Sequence, residues 1–271
     1  MRPLLLALLL TAAVAPAADP PKADDKKAKI LAELDKTLAG IKPDAPKDER
    51  AREYARVGNV LLTLREPAKA AEVFTKSLEL VEKPEVQDRR GDAHLWAGKF
   101  AAAVADYDVF LKAFPKYDEQ HWRRGIALYY AGKHADGVKQ FETHKKYNPQ
   151  DVENAAWHYL CNVKVVGKEK SQAELIDVTK DPRVPMAEIQ KLYAGKLKPE
   201  DVLAAADKVK GADKTSAQFY AHLYVALWYD AEGDEKKVHE HLSVAVEKNE
   251  VPDYMWDVGN AHLQTLKAKA K

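Results

Sequence analysis

Cysteine is all but missing. Cys161 is the only one in 271 residues, which excludes an intrachain disulfide framework and a cysteine-rich metal cluster and leaves stability to packing. Net charge is missing too: lysine and arginine number 43 against 42 acids, and 43 less Arg2, the only charge of the leader described below, is 42, an even balance. A nucleic-acid binder carries a basic excess, so no nucleic-acid partner is expected. Past the first residues there is no long apolar run. The nearest, Phe219 to Tyr229, is broken by His222 and falls short of the ~20 residues that a membrane-spanning helix needs. Gly-rich phosphate loops, nucleophile elbows and zinc-protease motifs are absent as well, so no catalytic residue, metal ligand or cofactor is expected.

What is present begins with a leader. Met1-Arg2-Pro3 precedes the uncharged run Leu4 to Leu10, and small residues follow up to Ala15-Pro16-Ala17, the small-x-small pattern of a signal peptide cleaved after Ala17. An exported chain, periplasmic or secreted, is expected. No cysteine stands immediately after the leader, so no lipid anchor is expected, and the apolar stretch is too short for stable membrane insertion. Residues 18–45 read as a charged, proline-marked tether, Asp19 to Lys29, and an N-terminal helix striped by Ile30, Leu31, Leu34, Leu38 and Ile41.

A period of 34 residues then governs the chain. Arg89-Arg90-Gly91 recurs as Arg123-Arg124-Gly125, Gly98 as Gly132, Tyr107 as Phe141 and Pro115 as Pro149. A fixed period of this length signals stacked supersecondary units. The first glycine of each set sits in a helix that a second helix crosses closely, the second glycine punctuates the turn, and the proline closes the unit.

These residues resemble the tetratricopeptide repeat, a helix-turn-helix unit of the same length. Pro84 to Tyr117 matches at Gly91, Gly98, Phe100, Ala103, Tyr107, Leu111 and Pro115. Asp118 to Asp151 matches at Gly125, Gly132, Phe141 and Pro149, with Gly137 where alanine is usual. A looser unit, Ala51 to about Lys83, has Gly58, Ala70, Phe74 and Leu78 but Arg65 at the turn glycine. Trp157 and Gly167 follow Trp122 and Gly132 after 35 residues, one more than the period, and Ser171-Gln172-Ala173-Glu174 reads as a capping box opening the next helix. The array is thus placed at 46–180. Residues 181–212, cut by Pro182, Pro185 and Pro199, read as an irregular helical insertion, and 213–271 as a late unit (Ala226, Gly233, Val238, Leu242, Ala245) with a capping helix from about Asp253. The expected fold is an all-α tetratricopeptide-type solenoid.

The layout, with Leu192-Tyr193-Ala194-Gly195-Lys196-Leu197 and Ala245-Val246-Glu247-Lys248-Asn249, also resembles the NlpI family of periplasmic lipoproteins. That resemblance implies a non-enzymatic adaptor holding envelope proteases and peptidoglycan hydrolases together. The tetratricopeptide resemblance implies a protein or peptide partner in a concave groove lined by Asp88, Asp92, Leu95, Trp96, Trp122, Ile126, Tyr129, Tyr130 and Trp157. Aromatics among acids suit that task, although the same aromatics also serve as inter-repeat core. Arg89, Arg90, Arg123 and Arg124 form a basic ridge for an acidic partner, or else pair locally with Glu85 and Glu119. The lysine-asparagine carboxylate clamp of some relatives is broken: Asn59 is present, but Ala55 stands at the lysine place. Two other readings stay open: a structural subunit of an envelope assembly, and a metal- or thiol-dependent enzyme using His239-Glu240-His241 with His222, or Cys161.

Overall fold

A computed structural model describes residues 23–269. The leader, 1–17, lies outside the described residues. Helix α1 (Ala23–Ala39) belongs to a first unit that ends at Gly40, and a second unit begins at Ile41. It begins inside the segment expected to be a tether, so Lys26 to Lys29 are helical.

The second unit is built from helix pairs. α2 (Lys47–Thr63) and α3 (Pro67–Leu80), α4 (Pro84–Trp96) and α5 (Phe100–Ala113), and α6 (Trp122–Tyr130) and α7 (His134–Tyr147) are successive hairpins, each packed on the next. Pro67 and Pro84 open their helices at the first turn, where a missing N–H costs nothing. α6 is short because Pro115–Gln120 winds as a 3-10 turn, and the His121 ring then accepts the Arg124 N–H to cap it.

The repeat spacing is explained by contact between glycine and aromatic sixteen places on. A Cβ on Gly58, Gly91 or Gly125 would lie 2.7 Å from Phe74, 2.5 Å from Tyr107 and 2.5 Å from Phe141 respectively, so only hydrogen lets each helix pair close. All three aromatics are wholly or almost wholly buried, each contributing on the order of 2 kcal/mol of apolar burial. Gly137 has a similar cause: a Cβ there would sit 2.5 Å from the Cys161 sulfur of the next unit.

α8 (Val152–Val166) continues the array, capped by Asp151, whose carboxylate accepts the Glu153 N–H. α9 (Lys168–Ala173) is brief, and the capping box expected at Ser171 does not form: Ser171 lies inside the helix and bonds back to the Gly167 carbonyl, as serine does when its own backbone is already helical. The segment read as an irregular helical insertion holds two helices, α10 (Met186–Tyr193) and α11 (Pro199–Asp207), with Pro185 and Pro199 at helix starts rather than within helices. Met186, Ile189, Leu192 and Val202 carry the core onward; α10 packs on α8, and α11 on α12 (Lys214–Glu232). α12 pairs with α13 (Glu235–Ser243), which runs on as a π-helical turn over Val244–Lys248. The last helix, α14 (Tyr254–Lys269), does more than close the end: it packs on both α13 and α4.

Candidate functional site

The first helices α4, α6 and α8 supply the face that was read as a groove, and α14 lies along part of it. The Tyr254 ring stands edge-on to Trp96 and Trp122, with centroids at 5.0 and 4.9 Å, and its hydroxyl donates to Asp92 at 3.0 Å. Further along α14, the His262 ring meets Tyr130 edge-on at 5.2 Å, with Nδ1 3.2 Å from the hydroxyl. Tyr129, Tyr130 and Trp157 form one cluster, in which the Tyr129 hydroxyl donates to Asp230 of α12 and Tyr130 stacks on Phe100. Leu95 is buried in the core at 0% exposure, so its side chain presents no open surface.

Asp88 and Asp92 turn inward, one helical turn apart on α4, and share one cation. Arg123 reaches Asp88 at 2.8 Å and Asp92 at 2.7 Å; His121 adds a bond to Asp88, and Tyr107 and Arg89 add bonds to Asp92. Burial works to raise the Asp88 pKa, but the His121 hydrogen bond and the Arg123 charge outweigh it and hold the carboxyl below its usual value. The four arginines therefore do not form an unpaired ridge. Arg89 also donates to Asn59, Arg90 forks onto Asp106, and Arg124 pairs with Asp108 and Gln140. Pairs at helical spacing with Glu85 and Glu119 were expected; only Arg89 with Asp92 has that spacing, while Arg90, Arg123 and Arg124 pair with acids on neighbouring helices.

Beside the N-terminus of α14, the face opens into a recess of about 490 Å³. Trp122 and Ile126 of α6, Trp157 of α8, Tyr220 of α12 and Tyr254 line it. One end is acidic: Asp151, Glu153 and Asp253 are in its wall, together with Arg183, which donates to Asp151 at 2.9 Å and Glu153 at 2.5 Å. Burial pushes the Glu153 carboxyl up to about 7, against the pull of Arg183 and the bond from the Tyr224 hydroxyl. Two buried polar atoms on this wall, Asn154 Oδ1 and Trp157 Nε1, have no hydrogen-bond partner.

The groups weighed for chemistry are elsewhere. His222 and His241 bring their Nδ1 atoms to 3.0 Å, burial and the neighbouring His241 lowering His222 to about 4, while His239 points outward. Residues two apart on a helix project on opposite sides, so the two histidines of α13 do not share a site. Cys161 is buried, and burial raises its pKa well above the ordinary thiol range, which disfavours the nucleophilic thiolate.

No protein-family model matches the chain. A solved structure, described as a tetratricopeptide repeat protein from Parabacteroides merdae, superposes with a TM-score of 0.52 at 13% identity, over 88% of this chain and 96% of that one. The fold is tetratricopeptide-repeat-like. Of the groove places named from the sequence, Trp96 and Trp122 hold Tyr254, and Trp122, Ile126 and Trp157 line the cavity, whereas Asp88, Asp92 and Leu95 are buried. Sequence reasoning missed Asp151, Glu153, Asn154, Arg183, Tyr220 and Asp253. Asn154 was within reach, since it stands one helical turn before the groove residue Trp157 on α8. Arg183 and Tyr220 carry no such signal, because they arrive from outside the array.

Proposed function

We propose that the protein is a non-enzymatic exported scaffold that binds a partner protein through its concave first-helix face, organising envelope proteases or peptidoglycan hydrolases. The observation that carries this reading is Tyr254 seated between Trp96 and Trp122 with its hydroxyl on Asp92. The face already accommodates an aromatic-bearing helix of the chain itself, which is the kind of ligand a groove of this class takes. The part that α14 leaves open, the recess at Trp122 and Trp157, is the entry for a partner. The leader pattern over residues 1–17 and the likeness to the NlpI family support the envelope setting.

The test is a crosslinked pull-down from an envelope extract with the chain from Ala18 as bait, beside Trp122→Ala checked for unchanged helicity. Capture of an identified protease or wall hydrolase that also binds the purified chain, and its loss with Trp122→Ala, is the expected result. Equal capture by both baits, or none by either, overturns the reading.

A further inference from the structure

Deepening the scaffold reading, we infer that the recess beside α14 is a receptor for an arginine side chain on an extended segment of the partner. Its walls are aromatic and its end is acidic, the pairing that holds a cation by ring faces and carboxylates together. Trp122, Trp157, Tyr220 and Tyr254 supply the rings.

The charge balance decides the sign of the ligand. Among the described residues Arg183 is the one lysine or arginine in the wall, and its nitrogens are spent within the chain on Asp181, Glu153 and Asp151. His144 also lines the cavity, with Nδ1 bonded to the Glu119 carbonyl. Against Arg183 the wall sets Asp151, Asp253 and Glu153, the last gaining its charge as pH rises through about 7; Asp253 spends one oxygen on the Met255 N–H. An anion would meet an excess of carboxylate; a cation relieves it.

The unpartnered atoms are a second, independent indication. Asn154 is 3% and Trp157 2% exposed, and both are in the wall. Asn154 Oδ1 accepts and its amide nitrogen is already used on the Phe141 carbonyl, so an incoming N–H is what it lacks. The Trp157 indole N–H lacks an acceptor among the described residues. A guanidinium, with five donors on a flat group that stacks on rings, answers this arrangement better than an ammonium. The volume of about 490 Å³ accommodates one long side chain and its flanking peptide.

The experiment titrates acetyl-Ala-Ala-Arg-Ala-Ala-amide into the whole chain from Ala18 and follows the indole N–H resonances of Trp122 and Trp157. Peptides with citrulline, lysine and glutamate at the centre run beside it. Binding about tenfold tighter for arginine than for citrulline is expected, the equivalent of ~1.4 kcal/mol. Lysine should fall between, glutamate should bind worst, and Glu153→Gln with Asp253→Asn should bring arginine down to citrulline; both substitutions keep the existing bonds to Tyr224 and Met255 acceptable. Equal binding of arginine and citrulline to the unaltered chain, or preference for glutamate, overturns the inference whether or not the variant folds. Peptide discrimination without any captured protein sinks the scaffold reading alone, whereas capture of an identified partner without discrimination sinks the arginine site alone.

Discussion

The Arg65 guanidinium lies over the Trp256 ring, 3.8 Å from its centroid, although the two residues stand at opposite ends of the second unit's sequence. Arg65 is also the one non-glycine residue with positive φ, 57°, among those described. It occupies the place that Gly98 and Gly132 hold in the next two hairpins, and the same bond closes each turn: Glu66 N–H to the Leu61 carbonyl, Lys99 to His94, Lys133 to Leu128. The strain is offset by what the side chain reaches, namely Glu250, the Val251 carbonyl and Asp257.

Two substitutions at Arg65 separate strain from tether. Arg65→Gly loses the tether and gains an unstrained turn; Arg65→Ala loses the tether and keeps a Cβ in the left-handed region, which costs about 1–2 kcal/mol. Urea denaturation should therefore rank alanine below glycine by about 1 kcal/mol. In both, amide exchange over α14 should quicken relative to α6. Slow exchange retained in α14 would mean that Arg65 does not hold it.

Gly125→Ala should destabilise by about 1–3 kcal/mol, since the new methyl meets the rigid Phe141 ring and one of the helices must shift. Phe141→Leu in the same chain should recover part of that loss, giving a coupling energy in a double-mutant cycle. Gly132→Ala is the control: nothing lies within 4 Å of its Cβ position, and its φ of +73° alone sets the penalty. Additive effects at 125 and 141 would deny the contact.

The hairpins and their glycine-aromatic contacts were legible because they are local: Gly91 and Tyr107 are sixteen residues apart and recur one period later as Gly125 and Phe141. The face of α14 was not. Trp256 and Gly259 carry the spacing of Trp122 and Gly125, but the partners that place it, Arg65 for Asp257 and Asp92 for Tyr254, lie far off in sequence and leave no periodic trace. The groove aromatics were found by motif place, while their occupant was hidden for that reason. Likewise Asp88 and Asp92 read as groove acids, because a helix place reveals the side a residue faces and says nothing of an arginine arriving from the next helix.

Arg123 and Arg124 are adjacent, and one of them matters far more to stability. Arg123→Met leaves Asp88 and Asp92, 8% and 0% exposed, without their shared cation, and removal of one partner from a buried pair costs about 3–5 kcal/mol. Arg124→Met breaks a pair with Asp108, whose side chain is 46% exposed, a change of about 1 kcal/mol or less. Chemical denaturation of the two variants should show this ordering. Similar losses would mean that Arg89 and the tyrosines suffice for the two aspartates.

Glu153 makes stability depend on pH in the direction opposite to an ordinary ion-paired acid. Its pKa is about 7 in the fold against 4.5 as its ordinary value, raised first by burial and only partly offset by Arg183. Between those values the folded state holds the proton more firmly than the unfolded chain, so its contribution is full below about pH 4.5 and is lost as pH rises through 7. Glu153→Gln removes that loss while leaving an acceptor for Tyr224. Relative to the unaltered chain, the variant should therefore gain stability between pH 5 and pH 8, by on the order of 1–3 kcal/mol. The comparison must be made at both pH values, since His222, lowered to about 4 by burial and by His241, contributes in the opposite sense in both proteins and cancels in the difference. A difference that stays constant, or shrinks, across this interval would show that Arg183 and Tyr224 keep Glu153 ionised in the wall of the recess.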